Sequence, residues 1–177
     1  MNREKFAVST GHIAWGYVLL YFNINIGSLD LLPSWLAYVL FFAALPVLAE
    51  ISPSAKLLRP FALGLSVWSG VCWLFGTEWY PPLLGVLENV VALYFHFQLL
   101  TELASLAQHC ACPQERRILT LRTVNTIFQT VFLLGRFLWD AWEGAAVLLL
   151  IANLVVLVWI CAVLFGLRRS LREESEG

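Results

Sequence analysis

The chain has 177 residues, of which 60% are hydrophobic and 13% are charged, with a mean hydropathy of +0.76 and a formal net charge of −1. Soluble domains carry about 25% charged residues, so this composition excludes an ordinary soluble domain and predicts an integral membrane protein. The sequence contains no basic patch suited to nucleic acid. It also contains no Walker A loop, so the chain is not expected to drive transport with ATP by itself.

Six apolar segments, separated by turn residues, predict an all-α membrane protein of one domain, a bundle of six transmembrane helices. A span needs about 20 apolar residues, and backbone groups in lipid must pair within their own segment, which favours helices. Proline marks several breaks, notably Pro33, Pro60 and Pro113. The third segment is the shortest, so we expect either local thinning of the membrane around it or a shallow fit. The predicted spans are residues 6–27, 34–51, 61–76, 83–107, 118–139 and 145–167.

Basic residues lie almost entirely on one side of this arrangement. Of the 11 Lys and Arg residues, only Arg136 falls on the other side. Cytoplasmic loops are enriched in Lys and Arg, so both termini are predicted to be cytoplasmic, in a protein of the cell membrane. Residues 168–177 then form a short charged cytoplasmic tail. The cytoplasmic set is Arg3, Lys5, Lys56, Arg59, Arg116, Arg117, Arg122, Arg168, Arg169 and Arg172.

The outer end of the first span is unusually polar. It contains Asn23 and Asn25, with Asp30 just beyond them. Asn and Gly weaken a helix, so this end is expected to be unwound. An unwound polar end can bind a solute, and the same residues also suit an ordinary turn before Pro33.

The fourth and fifth spans carry polar residues that need partners inside a membrane. Glu88 and Glu102 are fourteen residues apart, as are Arg122 and Arg136, and both separations correspond to about 21 Å of helix. Antiparallel packing of the two spans therefore predicts pairing of Glu102 with Arg122 and of Glu88 with Arg136. The pairs either hold the two helices together or line a solute or proton path, in which His96 and Glu88 would titrate.

Aromatic and acidic residues share the predicted outer interface. Five tryptophans map there, beside acidic residues that include Asp30 and Glu88. An aromatic belt that anchors the helices at the headgroups is one interpretation. The other is an aromatic cage that attracts a small cationic or aromatic solute. The five are Trp35, Trp73, Trp79, Trp139 and Trp142.

Cys110 and Cys112, beside His109, form the one short cluster of possible metal ligands in the sequence. Three donors in a single loop, with no second cluster, are more typical of a polar loop than of a zinc site. No metal and no cofactor is therefore predicted.

The segment from Gly11 to Leu45, with its Asn-Ile-Asn-Ile-Gly core and Leu-Leu-Pro-Ser-Trp run, resembles the start of small uncharacterised bacterial multi-pass membrane proteins. This resemblance covers about a fifth of the chain and implies no function. In size, span number and orientation the chain is also similar to the substrate-binding S components of energy-coupling-factor vitamin transporters. That similarity is architectural and rests on no diagnostic motif.

The sequence favours a small-solute binding or transport component in the lipid bilayer, working alone or with partner membrane subunits. One alternative is an accessory or scaffolding subunit whose polar residues are purely structural. Another is a lipid-acting membrane enzyme that uses His96 with Glu88 or Glu102, although no nucleophile or metal geometry supports a catalytic residue. The residues predicted to contact a solute are Asn23, Asn25, Asp30, Glu88, His96, Gln129 and Arg136.

Overall fold

The computed structural model describes residues 3–21, 25–26, 29–30, 33–76, 81–135 and 143–176, and it is helical apart from one short ladder. Four helices are long and apolar enough to cross a membrane, namely α3, α4, α5 and α6, and α2 is a shorter apolar helix. The helices are α1 (Arg3–Tyr21), α2 (Ser34–Leu48), α3 (Ala55–Phe75), α4 (Pro82–His109), α5 (Glu115–Gly135) and α6 (Glu143–Glu176). The two-residue strands β1 (Asn25–Ile26) and β2 (Leu29–Asp30) pair antiparallel.

The first helix is shorter than the sequence predicts. It ends at Tyr21, and Asn25–Ile26 lies in a strand, so the expected helix as far as residue 27 is wrong. β-branched and Asn residues are poorer helix formers than the residues before them. The expectation of an unwound outer end holds at these positions.

The third helix is longer than the sequence predicts. It begins at Ala55, so Pro60 lies inside the helix rather than at its boundary, and the helix has 21 residues. Pro60 is the sixth residue of this helix, where its missing N–H removes the hydrogen bond to the carbonyl of Lys56. The expected start of the third helix at residue 61 is therefore wrong, while the length of α3 that crosses the membrane stays a prediction.

The six helices form a closed ring in chain order. Each helix packs against the next, and α1 packs against α6 to close the ring. The closing contact includes the rings of Trp15 and Phe165, whose centroids are 5.9 Å apart with their planes nearly perpendicular. The α3–α4 and α5–α6 contacts are the sparser ones, which leaves room for grooves between those neighbours.

Aromatic side chains from three helices fill the inside of the ring. Tyr17, Phe41 and Phe95 are fully buried there, and the Tyr17 and Phe41 centroids are 5.3 Å apart. Gly16 allows α1 to approach α2 closely, since a β-carbon built at Gly16 would lie 2.9 Å from Cδ1 of Phe41 and closer still to Cε1. This cluster sets the spacing between α1, α2 and α4.

The turn between α4 and α5 is a tight helix C-cap. The N–H of Cys112 donates to the carbonyl of Ala107 at 2.8 Å, and the N–H of Ala111 donates to that of Gln108 at 3.0 Å. These are the two bonds of a Schellman motif, which places its left-handed residue after the cap. Here that residue is Ala111, with φ of 54°. The turn buries Cys110 and Cys112, and burial raises the pKa of both thiols.

Several contacts bring the basic segments of the chain to one end of the ring. Ser54, in the turn before α3, donates to Glu102 near the end of α4. Gln114, just before α5, donates to Ser170 of α6 at 2.8 Å. Arg168 packs over Gly11 of α1, where a built β-carbon would be 3.2 Å from its Nε. The α2–α3 and α4–α5 turns, α1 and the last turns of α6 are therefore connected at this end of the ring.

Candidate functional site

Glu102 is the buried acceptor of a small hydrogen-bond cluster between α4 and the start of α3. The residue is 3% exposed. Oε1 accepts from the hydroxyl of Ser54 at 2.6 Å and from Nε2 of Gln98 at 2.8 Å. Ser54 also shares a 2.7 Å hydrogen bond with Ser52. The cluster connects the turn that precedes α3 to the C-terminal half of α4.

Arg122 lies on the other flank of α4. Its NH1 donates to Oγ1 of Thr101 at 3.2 Å, and its Cζ is 4.6 Å from the centroid of the Phe97 ring. The Nε atom is buried and makes no hydrogen bond. A guanidinium over an aromatic face is a favourable cation–π arrangement, so packing and one hydroxyl hold this side chain in place.

The predicted pairing of Glu102 with Arg122 is therefore wrong. The sequence paired these two residues by their positions along the helices. The structure places Arg122 at that level, because it contacts Thr101, the residue before Glu102. Consecutive positions on a helix point about 100° apart. Thr101 consequently faces α5, whereas Glu102 faces the start of α3.

His96 and Gln129 belong to polar contacts that converge on two tyrosines of α1. His96 is buried and its Nδ1 lies 3.3 Å from the Tyr17 hydroxyl. One turn further along α1, the Tyr21 hydroxyl accepts from Nε2 of Gln129 at 2.7 Å and lies 3.5 Å from Oδ1 of Asn125. These bonds satisfy polar groups inside the ring and connect α1 to α4 and α5.

Glu88 lines a separate groove between α3 and α4. The groove has a volume of about 320 Å³ and walls that are otherwise almost wholly apolar. Glu88 is half-buried and lies six residues after Pro82, about 9 Å along the helix from the start of α4. The lining residues are Pro60, Phe61, Gly64, Leu65, Trp68, Leu84, Leu87, Glu88 and Val91.

The remaining predicted contact residues are brought together only in part. Asn25 and Asp30 are opposite partners in the β1–β2 ladder, as an ordinary tight turn or a small polar rim would require. Asn23 and Arg136 lie outside the described residues, as do Trp79, Trp139 and Trp142 of the predicted aromatic rim. The pairing of Glu88 with Arg136 and the aromatic cage remain predictions.

Sequence reasoning missed the partners that hold these groups. Ser54, Tyr17 and Tyr21 each bond a polar side chain of α4 or α5, but a serine in a turn and a tyrosine in an apolar helix carry no distinctive pattern. Phe61 and Trp68 are seven residues apart on α3 and lie on one face, which is a usable signal. This spacing predicts an aromatic face on α3, but it does not identify the helix that packs opposite that face.

A comparison with known proteins finds no match. No protein family, no curated protein and no solved structure is significantly similar to this chain.

Proposed function

We propose that this chain is a six-span integral protein of the cell membrane, with both termini cytoplasmic, that binds a small solute. Four helices meet the length and composition of a span. The packing of α1 and α2 into the same ring supports two further spans. The gathering of basic segments at one end of the ring supports the orientation, because such segments favour the cytoplasmic side.

The orientation is testable with engineered thiols. Cys110 and Cys112 are poor reporters because they are buried and their raised pKa values disfavour the reactive thiolate. Gln108 is exposed at the α4–α5 turn, and Leu83 is 76% exposed at the opposite end of α4. In intact cells a membrane-impermeant maleimide should label the Leu83→Cys variant and spare Gln108→Cys, with the unsubstituted protein as baseline. The reverse pattern would contradict the orientation.

The solute that best fits the groove between α3 and α4 is small, largely apolar and positively charged. The observation that carries this proposal is a carboxylate, Glu88, in a wall that is otherwise apolar and aromatic. A charge at this depth in a membrane is costly and calls for a compensating charge. A cation beside Glu88 and the aromatic faces of Phe61 and Trp68 would gain Coulomb and cation–π attraction together.

Binding is best measured with two probes of the same shape and opposite charge. Tetraphenylphosphonium should bind the protein in nanodiscs and change its tryptophan fluorescence, whereas tetraphenylborate should bind weakly. Glu88→Gln is expected to weaken tetraphenylphosphonium binding about tenfold, as for the loss of one close opposite charge. Glu50→Gln removes the same charge from an exposed position outside the groove and should bind as the unsubstituted protein does.

Equal binding of the phosphonium by the Glu88→Gln and unsubstituted proteins would contradict the site. An accessory subunit, the alternative function, would show no charge-selective binding and would retain a second protein subunit after gentle extraction. Native mass spectrometry of the extracted protein separates the two, because a bound small molecule favours solute binding. If binding is confirmed, uptake of the same cation into proteoliposomes tests whether the protein also transports it.

A further inference from the structure

A second groove, between α2 and α3, has a different chemical character. It has a volume of about 470 Å³ and lies at the end of the ring where the basic segments gather. Two of its lining residues, Lys56 and Arg59, are cationic and exposed. The others are apolar, namely Phe42, Pro46, Ala49, Pro60 and Leu63.

The two cations are available for an external anion. Neither Lys56 nor Arg59 forms an ion pair or a side-chain hydrogen bond with any other residue in the part of the chain that the structure describes. The guanidinium carbon of Arg59 lies 4.9 Å from the centroid of the Phe42 ring, which holds this charge at the groove wall. A phosphate would therefore meet two positive charges without first breaking an internal salt bridge.

Each of the two helices contributes a proline to the groove wall. Pro46 lies inside α2 and Pro60 inside α3, and both line the groove. Because proline has no N–H, the carbonyls of Phe42 and Lys56 lack their usual donor four residues on.

The apolar part of the α2–α3 groove extends along α3 away from the two cations. Leu63 is seven residues beyond Lys56, about 10 Å along α3, and it is 53% exposed on the outer surface of the ring. A soluble anion gains nothing from this wall, whereas an acyl chain would lie along it. We propose that the α2–α3 groove is a binding site for an anionic phospholipid, with the phosphate at Lys56 and Arg59 and an acyl chain against Phe42 and Leu63. The site rests on the proposed membrane insertion and is independent of Glu88, so loss of one site leaves the other measurable.

The test is native mass spectrometry of the purified protein with added lipids that share the same acyl chains. The unsubstituted protein should retain phosphatidylglycerol in preference to phosphatidylcholine. Lys56→Gln with Arg59→Gln should lower phosphatidylglycerol retention by about tenfold or more, since each basic residue contributes to anionic lipid binding. The matched control is Arg116→Gln with Arg117→Gln, two exposed cations of α5 at the same end of the ring that do not line the groove. This double variant should change phosphatidylglycerol retention by less than about twofold, because salt screens exposed charges that lie away from the phosphate.

Two further experiments distinguish binding of the whole lipid from binding of its headgroup alone. Leu63→Gln keeps both cations and makes the wall polar, so it should weaken phosphatidylglycerol retention. Glycerol 1-phosphate at the same concentration should not displace the lipid. Equal loss in both double variants, equal retention of phosphatidylcholine, no effect of Leu63→Gln or full displacement by glycerol 1-phosphate would each overturn the assignment.

Discussion

Replacing Gly16 by alanine is expected to destabilise the protein by about 1–3 kcal/mol or more, as overpacking in a tight core does. The new methyl group would lie 2.9 Å from Cδ1 of Phe41 and closer to Cε1. The Phe41 ring cannot move aside easily because Tyr38 and Phe95 are packed against it. The midpoint of unfolding in mixed detergent micelles, followed by circular dichroism, measures this effect.

The matched control is Gly64→Ala. Gly64 is also inside a helix, but a β-carbon there would have no neighbour within 4 Å. Because alanine favours helix over glycine by about 1 kcal/mol, this variant should be as stable as the unsubstituted protein or more stable. Phe41→Leu should partly rescue Gly16→Ala by making room for the methyl group. Equal stability of the Gly16→Ala and Gly64→Ala proteins would contradict the close approach of α1 and α2.

The second large effect is expected where Glu102 accepts its hydrogen bonds. Glu102→Met keeps the volume and removes the acceptor of Ser54 and Gln98. Loss of a buried partner leaves the other group unsatisfied at a cost of about 1–3 kcal/mol. Ser54→Ala and Glu102→Met should therefore be strongly non-additive, with a coupling of about 1–2 kcal/mol in a double-mutant cycle of unfolding free energies.

A second cycle distinguishes the observed contacts from the pairing that the sequence predicts. Glu102→Met and Arg122→Met should be additive within about 0.5 kcal/mol, because the two side chains share no partner and lie on different flanks of α4. Arg122→Met alone should cost little, since methionine keeps the contact with Phe97. A coupling between Glu102 and Arg122 as large as that between Glu102 and Ser54 would restore the salt bridge and refute the geometry described above.

The buried polar groups around α1 change how substitutions at His96 should be interpreted. His96 packs against Tyr17, Tyr38, Phe41 and Phe95, and it does not line the groove that contains Glu88. Truncation to alanine would open a cavity in the core and lower stability. Loss of solute binding in that variant would therefore reflect misfolding as readily as a lost contact. Glu88, at a groove wall, provides the cleaner test.

The sequence by itself determined the class and the number of helices. Apolar runs of span length, interrupted by residues such as Pro33 and Pro113, lead to six helices because local backbone pairing and the turn chemistry of proline act over a few residues. The sequence also predicts that the basic segments lie at one end, because consecutive helices run antiparallel and alternate loops then lie on the same side. The sequence also predicts that His96 and Gln129 contact polar partners, because buried polar groups require hydrogen-bond partners.

The tertiary structure decided which helix each polar residue faces. A sequence gives the angle between Thr101 and Glu102 around α4, but the neighbour on each side depends on the order in which the helices pack, which is set by distant contacts such as that of Gly16 with Phe41. The start of α3 also differs from the prediction: the helix begins at Ala55, directly after Ser54, whose hydroxyl bonds Glu102 of α4. The two grooves lie on either side of α3, one against α2 and one against α4, so each depends on side chains from two helices that no single segment encodes.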